Sequence, residues 1–270
     1  MDKTKHLIEK QYLEDLEVLA FEDGLAQKET RPLIHESSLS IKLNGHTLVE
    51  AQCMPREIED MAVGFLVSEG ILRSTSELLS VESDFDQMFV DVNAQIPDDR
   101  LKDIGTKLKV TSGCGRGFTI DNVDEVMNCN RPFNMSMTLK AKEVMKMGYE
   151  FNHTPGLYRK TRAVHSAALS DGNEMLYFCE DIGRHNAVDK VVGKAFRDGR
   201  NICELILLCT GRFSFDMVAK AARVRIPLII SPAAATKEAV ALAKRFHISL
   251  CGRVRKSSML VYSAQWRITQ

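Results

Sequence analysis

The stretch Glu180-Asp-Ile-Gly-Arg-His-Asn-Ala-Val-Asp-Lys190 joins an apolar run to a helical pattern, and its reading decides the fold of the second half of the chain. Before it, Met175-Leu-Tyr-Phe-Cys179 has the character of a buried strand. After it, Val188, Val191, Val192, Ala195 and Phe196 recur at helical spacing, with Lys190, Lys194 and Arg197 around them. Asn186 is the expected N-cap, with Asp189 three residues later as a weak capping box. A helix N-terminus at a strand's carboxyl end exposes unpaired N–H groups, and Arg184 and His185 beside it suit an anionic ligand. Taken alone, the same residues also read as a charged, solvated turn.

Working outward, the strand–loop–helix pattern repeats. Val164–Leu169 and Met175–Cys179 are expected strands joined at Asp171-Gly172. Leu205–Cys209 leads into Thr210-Gly-Arg-Phe-Ser214 and a helix through Met217, Val218, Ala221 and Ala222. Leu228–Ile230 leads into Ser231–Thr236, with Thr236 as N-cap, and a helix to Phe246. Ser249–Val254 and Met259–Ser263 close the sheet. Continuous apolar strands alternating with amphipathic helices predict an α/β core, a sheet covered by helices on both faces. In such a core the loops after the strands share one rim, which would gather Asp181, Arg184, His185, Arg212, Ser214 and Thr236. That convergence favours a binding site over a solvated turn. Between the last two strands, Arg253-Val-Arg-Lys-Ser-Ser258 offers three cations and two hydroxyls, which suit a phosphate or equally a basic surface hairpin.

Towards the N-terminus, residues 1–35 read as a helix, with Leu13, Leu16 and Leu19 in rough helical phase, followed by an arm through Glu22-Asp-Gly24. Residues 36–110 read as a small α+β domain. Leu39, Ile41 and Leu43 alternate with polar residues before an Asn44-Gly45 hairpin turn, and a helix opens at Pro55 and ends at Gly70. Residues 111–133 form a flexible cysteine loop and connection, and residues 134–270 the α/β domain that would hold the ligand. In Thr111-Ser-Gly-Cys-Gly-Arg-Gly117, three glycines surround Cys114, and Arg116 favours the reactive thiolate. A glycine-rich linker carrying an incidental cysteine fits the same residues.

With 44% hydrophobic and 27% charged residues, the chain of 270 residues has an ordinary globular composition. Lys+Arg and Asp+Glu both number 36, so no nucleic-acid partner is expected and any pull on phosphate must be local. The N-terminal residues lack a signal peptide's apolar stretch, and no run reaches the length of a membrane span. The seven cysteines are odd in number and none forms C-x-x-C, so free thiols in a reducing cytoplasm are expected, without a disulfide framework or zinc finger. His165 is followed by Ser166 and Ala167, so the H-x-E and P-C-x-x-C of a zinc deaminase are absent. Walker A, G-x-G-x-x-G and G-x-S-x-G patterns are absent too.

Four segments carry a resemblance: Ala62-Val-Gly-Phe-Leu-Val-Ser-Glu-Gly70, Val164-His-Ser-Ala-Ala-Leu169, Glu180–Lys190 and Thr210-Gly-Arg-Phe-Ser-Phe-Asp-Met-Val218. Through them the chain, from about Glu36 to Ser263, resembles the formate dehydrogenase accessory sulfurtransferases, the FdhD family. The resemblance implies a cytidine-deaminase-like layered α/β core with no protein-ligated metal. It implies a persulfide, taken from a cysteine desulfurase and passed to the molybdenum (or tungsten) bis-molybdopterin guanine dinucleotide cofactor of formate dehydrogenase. That cofactor is a bound substrate, and family members are generally homodimers. By position Cys114 would carry the persulfide, and Arg253, Val254, Arg255, Lys256, Ser257 and Ser258 would contact the cofactor. His165, Asp181, Arg184, His185, Arg212 and Ser214 would line the same site. The chain departs from the family where Gly117 replaces the second cysteine of the usual C-x-x-C, and at Arg162-Ala163 and Arg253. It would therefore act with Cys114 alone, borrow Cys129, or serve as a cofactor-binding chaperone without sulfur transfer.

Overall fold

A computed structural model describes residues 12–97, 100 and 133–270. Cys114, Arg116, Gly117 and Cys129 lie outside the described residues. The N-terminal helix is corrected: Leu13–Glu22 (β1) and Leu25–Ile34 (β2) form an antiparallel hairpin. Asp23 and Gly24 have φ of 50° and 83°, the paired positive values of a tight hairpin turn, and this local chemistry outweighs the leucine spacing. Only the base of the hairpin is buried, where Tyr12, Leu13 and Ile34 pack with Met54, Leu157 and Val164. Towards the tip, Leu19, Phe21 and Leu25 are exposed.

Ser37–Leu43 (β3) and His46–Cys53 (β4) follow, turning at Asn44 and Gly45 with φ of 50° and 80°. Ile58–Ser68 is helix α1, and Leu78–Asp84 (β5) and Phe89–Ala94 (β6) complete a four-stranded sheet in the order β4-β3-β6-β5. Helix α1 begins three residues after Pro55, beyond Glu57, whose φ is 55°. It ends as expected at Gly70, whose φ of 75° lets Gly70 N–H bond Val67 O and Ile71 N–H bond Leu66 O.

After the short strand Leu139–Lys140 (β7) come Ala141–His153 (α2) and Leu157–Thr161 (α3). The larger sheet is built from His165–Ser170 (β8), Met175–Asp181 (β9), Ile206–Cys209 (β10), Leu228–Ile230 (β11), Ser249–Gly252 (β12) and Leu260–Val261 (β13). Its order is β13-β12-β11-β10-β8-β9; β10, β11 and β12 run parallel, and the other pairings are antiparallel. Arg184–Arg197 (α4), Phe215–Arg223 (α5) and Lys237–Arg245 (α6) connect the strands, making six α-helices among the described residues. Ile268–Thr269 (β14) pairs with β7.

Alternate strand residues enter different layers, as the period of two requires. Ala167, Leu169, Leu207, Cys209, Ile229 and Leu250 join one cluster with α4, α5 and α6. Ala168, Ile206, Leu208, Leu228, Ile230 and Cys251 join the other with Val144, Met147 and Phe151 of α2. The first cluster continues through α1 into Leu39, Ile41, Val90 and Val92 of the smaller sheet, so one core serves both sheets.

Two glycines make that junction. A Cβ at Gly64 of α1 would collide with the Asp189 carbonyl of α4, and one at Gly193 of α4 with the Asp60 carbonyl of α1. The helices therefore meet backbone to backbone, which only residues without a Cβ permit. Beside this contact lies a buried, balanced charge network. Lys220 Nζ of α5 sits 2.8 Å from Asp189 and 3.2 Å from Glu69, and Arg223 Nη1 2.8 Å from Glu69. Burial alone would discharge Lys220, but Asp189 and Glu69 outweigh it and hold the ammonium above its usual range.

Candidate functional site

The topology brings one end of the larger sheet together. β8 starts there and β9, β10, β11 and β12 end there, so His165, Asp181–Arg184, Thr210–Ser214, Ser231–Thr236 and Arg253–Ser258 share a rim. Hydrogen bonds to backbone carbonyls stitch these loops together. Ser231 Oγ donates to Gly211 O at 2.8 Å, and Phe213 N–H to Ala234 O at 3.0 Å. Arg253 N–H reaches Ala233 O at 2.8 Å and Val254 N–H reaches Ser231 O at 3.1 Å. Arg255 Nη1 donates to Pro232 O at 3.0 Å. Gly252 has no room for a Cβ between Tyr262, Phe213 and Ala233 O, so glycine lets the basic loop lie against its neighbours. Gly211 does the same for Arg184, whose Cδ would stand 3.0 Å from a Cβ there.

The seven polar side chains of the motif Glu180–Lys190 divide into two sets. Five of them are internal wiring. Glu180 accepts the N–H groups of Leu157 and Tyr158 at 2.7 and 2.9 Å, capping α3, and a Cβ at Gly156 would run into its carboxylate. Asp181 is fully buried; it accepts from Gly183 N–H and Asn186 Nδ2 through one oxygen, and from Met54 N–H and Lys190 Nζ through the other. Asn186 also donates to Gln52 O, and Lys190 to Met54 O and Glu180 O. Asp189 holds Lys220. The expected cap at Asn186 is corrected: the cap position is Gly183, three residues earlier, and Asn186 uses its amide to tie β4 to the rim.

Arg184 and His185 remain. Arg184 Nε and His185 Nε2 are buried without a hydrogen-bond partner among the described residues. No side chain caps α4, and its first turn contains no acid. By contrast, α1, α2, α5 and α6 carry Glu59 and Asp60, Glu143, Asp216 and Glu238 there. A cation at an uncapped helix N-terminus opposes the helix dipole and is stabilised by an anion bound between them. Burial, with Lys220, Arg184 and His165 nearby, pushes the His185 imidazole down to about 3, so it is neutral. Burial and Arg184 lower His165 as well, against the pull of Asp181. His165 Nδ1 lies 3.1 Å from Thr210 Oγ1.

Arg212 and Arg253 are exposed on the rim, with Arg255, Lys256, Ser257 and Ser258 exposed beside them. Arg253 holds a φ of 50°, and the Arg255 N–H donates to Ser258 O at 2.8 Å to close the turn. Three of the expected contacts have partners or packing within the protein. Asp181 is saturated within the protein, and the Val254 side chain is buried against Ile230 and Gly148. Ser214 caps α5 by accepting from Met217 N–H, as Thr236 caps α6. The sequence reading missed Thr210 and Ser231, small hydroxyl residues directly after buried strands, a position that signals a rim role. Cys53, Cys179, Cys203, Cys209 and Cys251 are buried, and desolvation pushes Cys53, Cys209 and Cys251 up to about 12, away from thiolate chemistry. Among the described residues no cluster of His, Cys, Asp and Glu is arranged to hold a metal, and no helix is long and apolar enough to cross a membrane.

The fold matches the crystal structure of a protein from Desulfotalea psychrophila described as a formate dehydrogenase accessory protein. The TM-score is 0.76, covering 96% of this chain and all of that one at 24% identity. A sulfur carrier protein FdhD of Wolinella succinogenes is 34% identical over 275 residues, covering 99% of this chain and 92% of that one. Another of the same name, from Bacillus subtilis, is 30% identical over 254 residues, covering 94% and 97%. The profile of the FdhD/NarQ family matches residues 34–269. With the profile spanning nearly the whole chain and the fold agreeing, the protein belongs to the FdhD/NarQ family.

Proposed function

We propose that the chain is a sulfur carrier for formate dehydrogenase maturation. It accepts sulfur from a cysteine desulfurase on Cys114 and delivers it to a molybdenum (or tungsten) bis-molybdopterin guanine dinucleotide, bound as substrate. The observation that carries the binding half is the uncapped start of α4, where Arg184 Nε is buried without a partner beside Gly211. An oxygen of a phosphate or pyrophosphate fits that donor, and Arg212, Arg253, Arg255 and Lys256 supply further positive charge along the rim. The transfer half is supported by the relatives being named sulfur carrier proteins and by the composition of the Cys114 loop. The Cys114 thiolate attacks the outer sulfur of the desulfurase persulfide. A sulfur–sulfur bond forms on Cys114 as the donor's breaks, and the donor cysteine leaves as thiolate, so the step is redox-neutral. Association with the desulfurase and with formate dehydrogenase, and assembly as a homodimer, belong to this reading.

Incubation with a desulfurase and cysteine should add one sulfur to Cys114, read by mass spectrometry of the peptide. Equal sulfur uptake by Cys114→Ala would overturn the assignment. Gly117, in place of a second cysteine, favours one other reading: a chaperone that binds the cofactor without transferring sulfur. In that case formate dehydrogenase activity in cells would survive Cys114→Ala.

A further inference from the structure

We propose that Thr210 is a positioning residue that holds His165 in the Nε2–H tautomer, so that His165 faces the site as a hydrogen-bond donor and not as a base. The nature of the ligand rests on the reading above; the tautomer rests on geometry alone. Thr210 directly follows β10, and His165 opens β8, which pairs with β10. The Thr210 hydroxyl accepts the Ser166 N–H at 3.1 Å, which occupies one lone pair. Its single proton then has two acceptors in range, Ser166 O at 3.5 Å and His165 Nδ1 at 3.1 Å.

Geometry separates these two acceptors. Ser166 O already accepts the Thr210 N–H at 3.0 Å, and 3.5 Å is long for a hydroxyl donor, whose usual distance is about 2.7–2.8 Å. Were Nδ1 protonated, the hydroxyl would take that N–H on its second lone pair and be left with only the long bond to Ser166 O. The shorter contact therefore favours the hydroxyl donating to His165 Nδ1, which places the ring proton of the neutral imidazole on Nε2. The charged and titratable groups around the ring are Arg184 and His185 of α4 and Asp181 at the end of β9. Arg184 disfavours a second proton on His165.

The consequence is chemical. His165 Nε2–H makes no hydrogen bond to the described protein, and Arg184 Nε–H is an unpaired donor close by. A neutral N–H and a guanidinium N–H together select an oxygen acceptor that arrives already ionised, such as a phosphate diester or pyrophosphate oxygen. They do not suit a ligand that must give up a proton on binding, because neither group has a lone pair to receive it. Thr210 is thus the residue that converts a histidine, which could face either way, into a donor of fixed sense.

Long-range proton–nitrogen correlation spectra of the nitrogen-15-labelled protein at neutral pH test this directly, with the His165 signal identified by its loss in His165→Gln. The expected pattern is a pyridine-like Nδ1 and a pyrrole-like Nε2 in the wild type and in Thr210→Ser. Thr210→Val should mix the tautomers and weaken guanosine diphosphate binding by about tenfold or less, the range of one lost neutral hydrogen bond. A protonated Nδ1 in the wild type overturns the proposal, and so does an unchanged pattern in Thr210→Val. If Thr210→Val does not fold, the wild-type spectrum alone decides. The expected tautomer in a protein that binds no guanosine diphosphate would support the Thr210 assignment and remove the proposed ligand.

Discussion

Lys190 Nζ stands 2.7 Å from Asp181 Oδ2, with both side chains fully buried, and the two ends of this pair hold different parts of the molecule. Asp181 takes the N–H of Met54, and Lys190 donates to Met54 O, so the segment between β4 and α1 is fixed to the end of β9 from both sides. Asp181 is therefore a fastening between the sheets.

Breaking that fastening should cost stability before it costs binding. Lys190→Met leaves a buried carboxylate without its cation, and such changes typically cost about 3–5 kcal/mol. Asp181→Ala strands Lys190 in the same way and also orphans the Met54 and Gly183 N–H groups. Because each single variant orphans the other's charge, the double variant should lose less than the sum of the two. Equilibrium urea unfolding measures all three. Wild-type midpoints with selectively lost nucleotide binding would instead make Asp181 a ligand contact.

The helix junction gives a second stability prediction. A methyl group at Gly64 would run into the Asp189 carbonyl and the Gly193 backbone nitrogen, so α1 and α4 must separate to admit it. Gly64→Ala should destabilise by about 1–3 kcal/mol or more, the range for overpacking a close contact, despite alanine's better helix propensity. Gly193→Ala should behave alike, because its methyl would meet the Asp60 carbonyl from the other side. A thermal midpoint at or above wild type in either variant would mean that the helices do not approach this closely.

Much of the larger sheet was legible because its signals are local and repeated. Leu205–Cys209 and Leu228–Ile230 are continuous apolar runs, and the hydroxyls of Ser214 and Thr236 stand where helices start. The rim was legible for the same reason, since strand ends can be counted from sequence. Which side chains face outward was not. Asp181 and Arg184 look equally available on paper, yet one is consumed by Met54 and Lys190, and those contacts span far-separated segments that periodicity does not report. The N-terminal hairpin was misread because leucines at positions 13, 16 and 19 fit a helix, while Asp23 and Gly24 carried the stronger turn signal.

The rim makes separable contributions to ligand binding. Arg184→Ala should weaken guanosine diphosphate binding by roughly 10- to 150-fold, corresponding to the ~1.5–3 kcal/mol of a charge-assisted bond. Arg255 is different, since its guanidinium already holds Pro232 O and Val254 O. Arg255→Ala should weaken binding while also loosening the loop, seen as faster amide exchange around Val254. Calorimetry at fixed ionic strength reports both affinities, and no change in either would take both residues out of the site.

The neutral histidine at the head of α4 ties the site to acid stability. His185 stays unprotonated in the fold down to about pH 3, whereas in the unfolded chain it takes up a proton near pH 6.5. Between those values the unfolded state binds more protons, so the His185 contribution to stability falls as pH falls. His165 acts in the same direction over the window below its ordinary value. Asp60, raised by burial against the pull of Arg197, acts in the opposite direction above the usual aspartate range. Comparing variants separates these groups. His185→Gln should flatten the decline of unfolding free energy between pH 7 and pH 4, because the group whose protonation is linked to unfolding is gone. A bound phosphate-bearing ligand favours a positive charge beside Arg184, so saturating guanosine diphosphate should also flatten the wild-type curve and leave the variant's nearly unchanged. Parallel pH profiles for the wild type and His185→Gln would show that this imidazole is not held neutral by the fold.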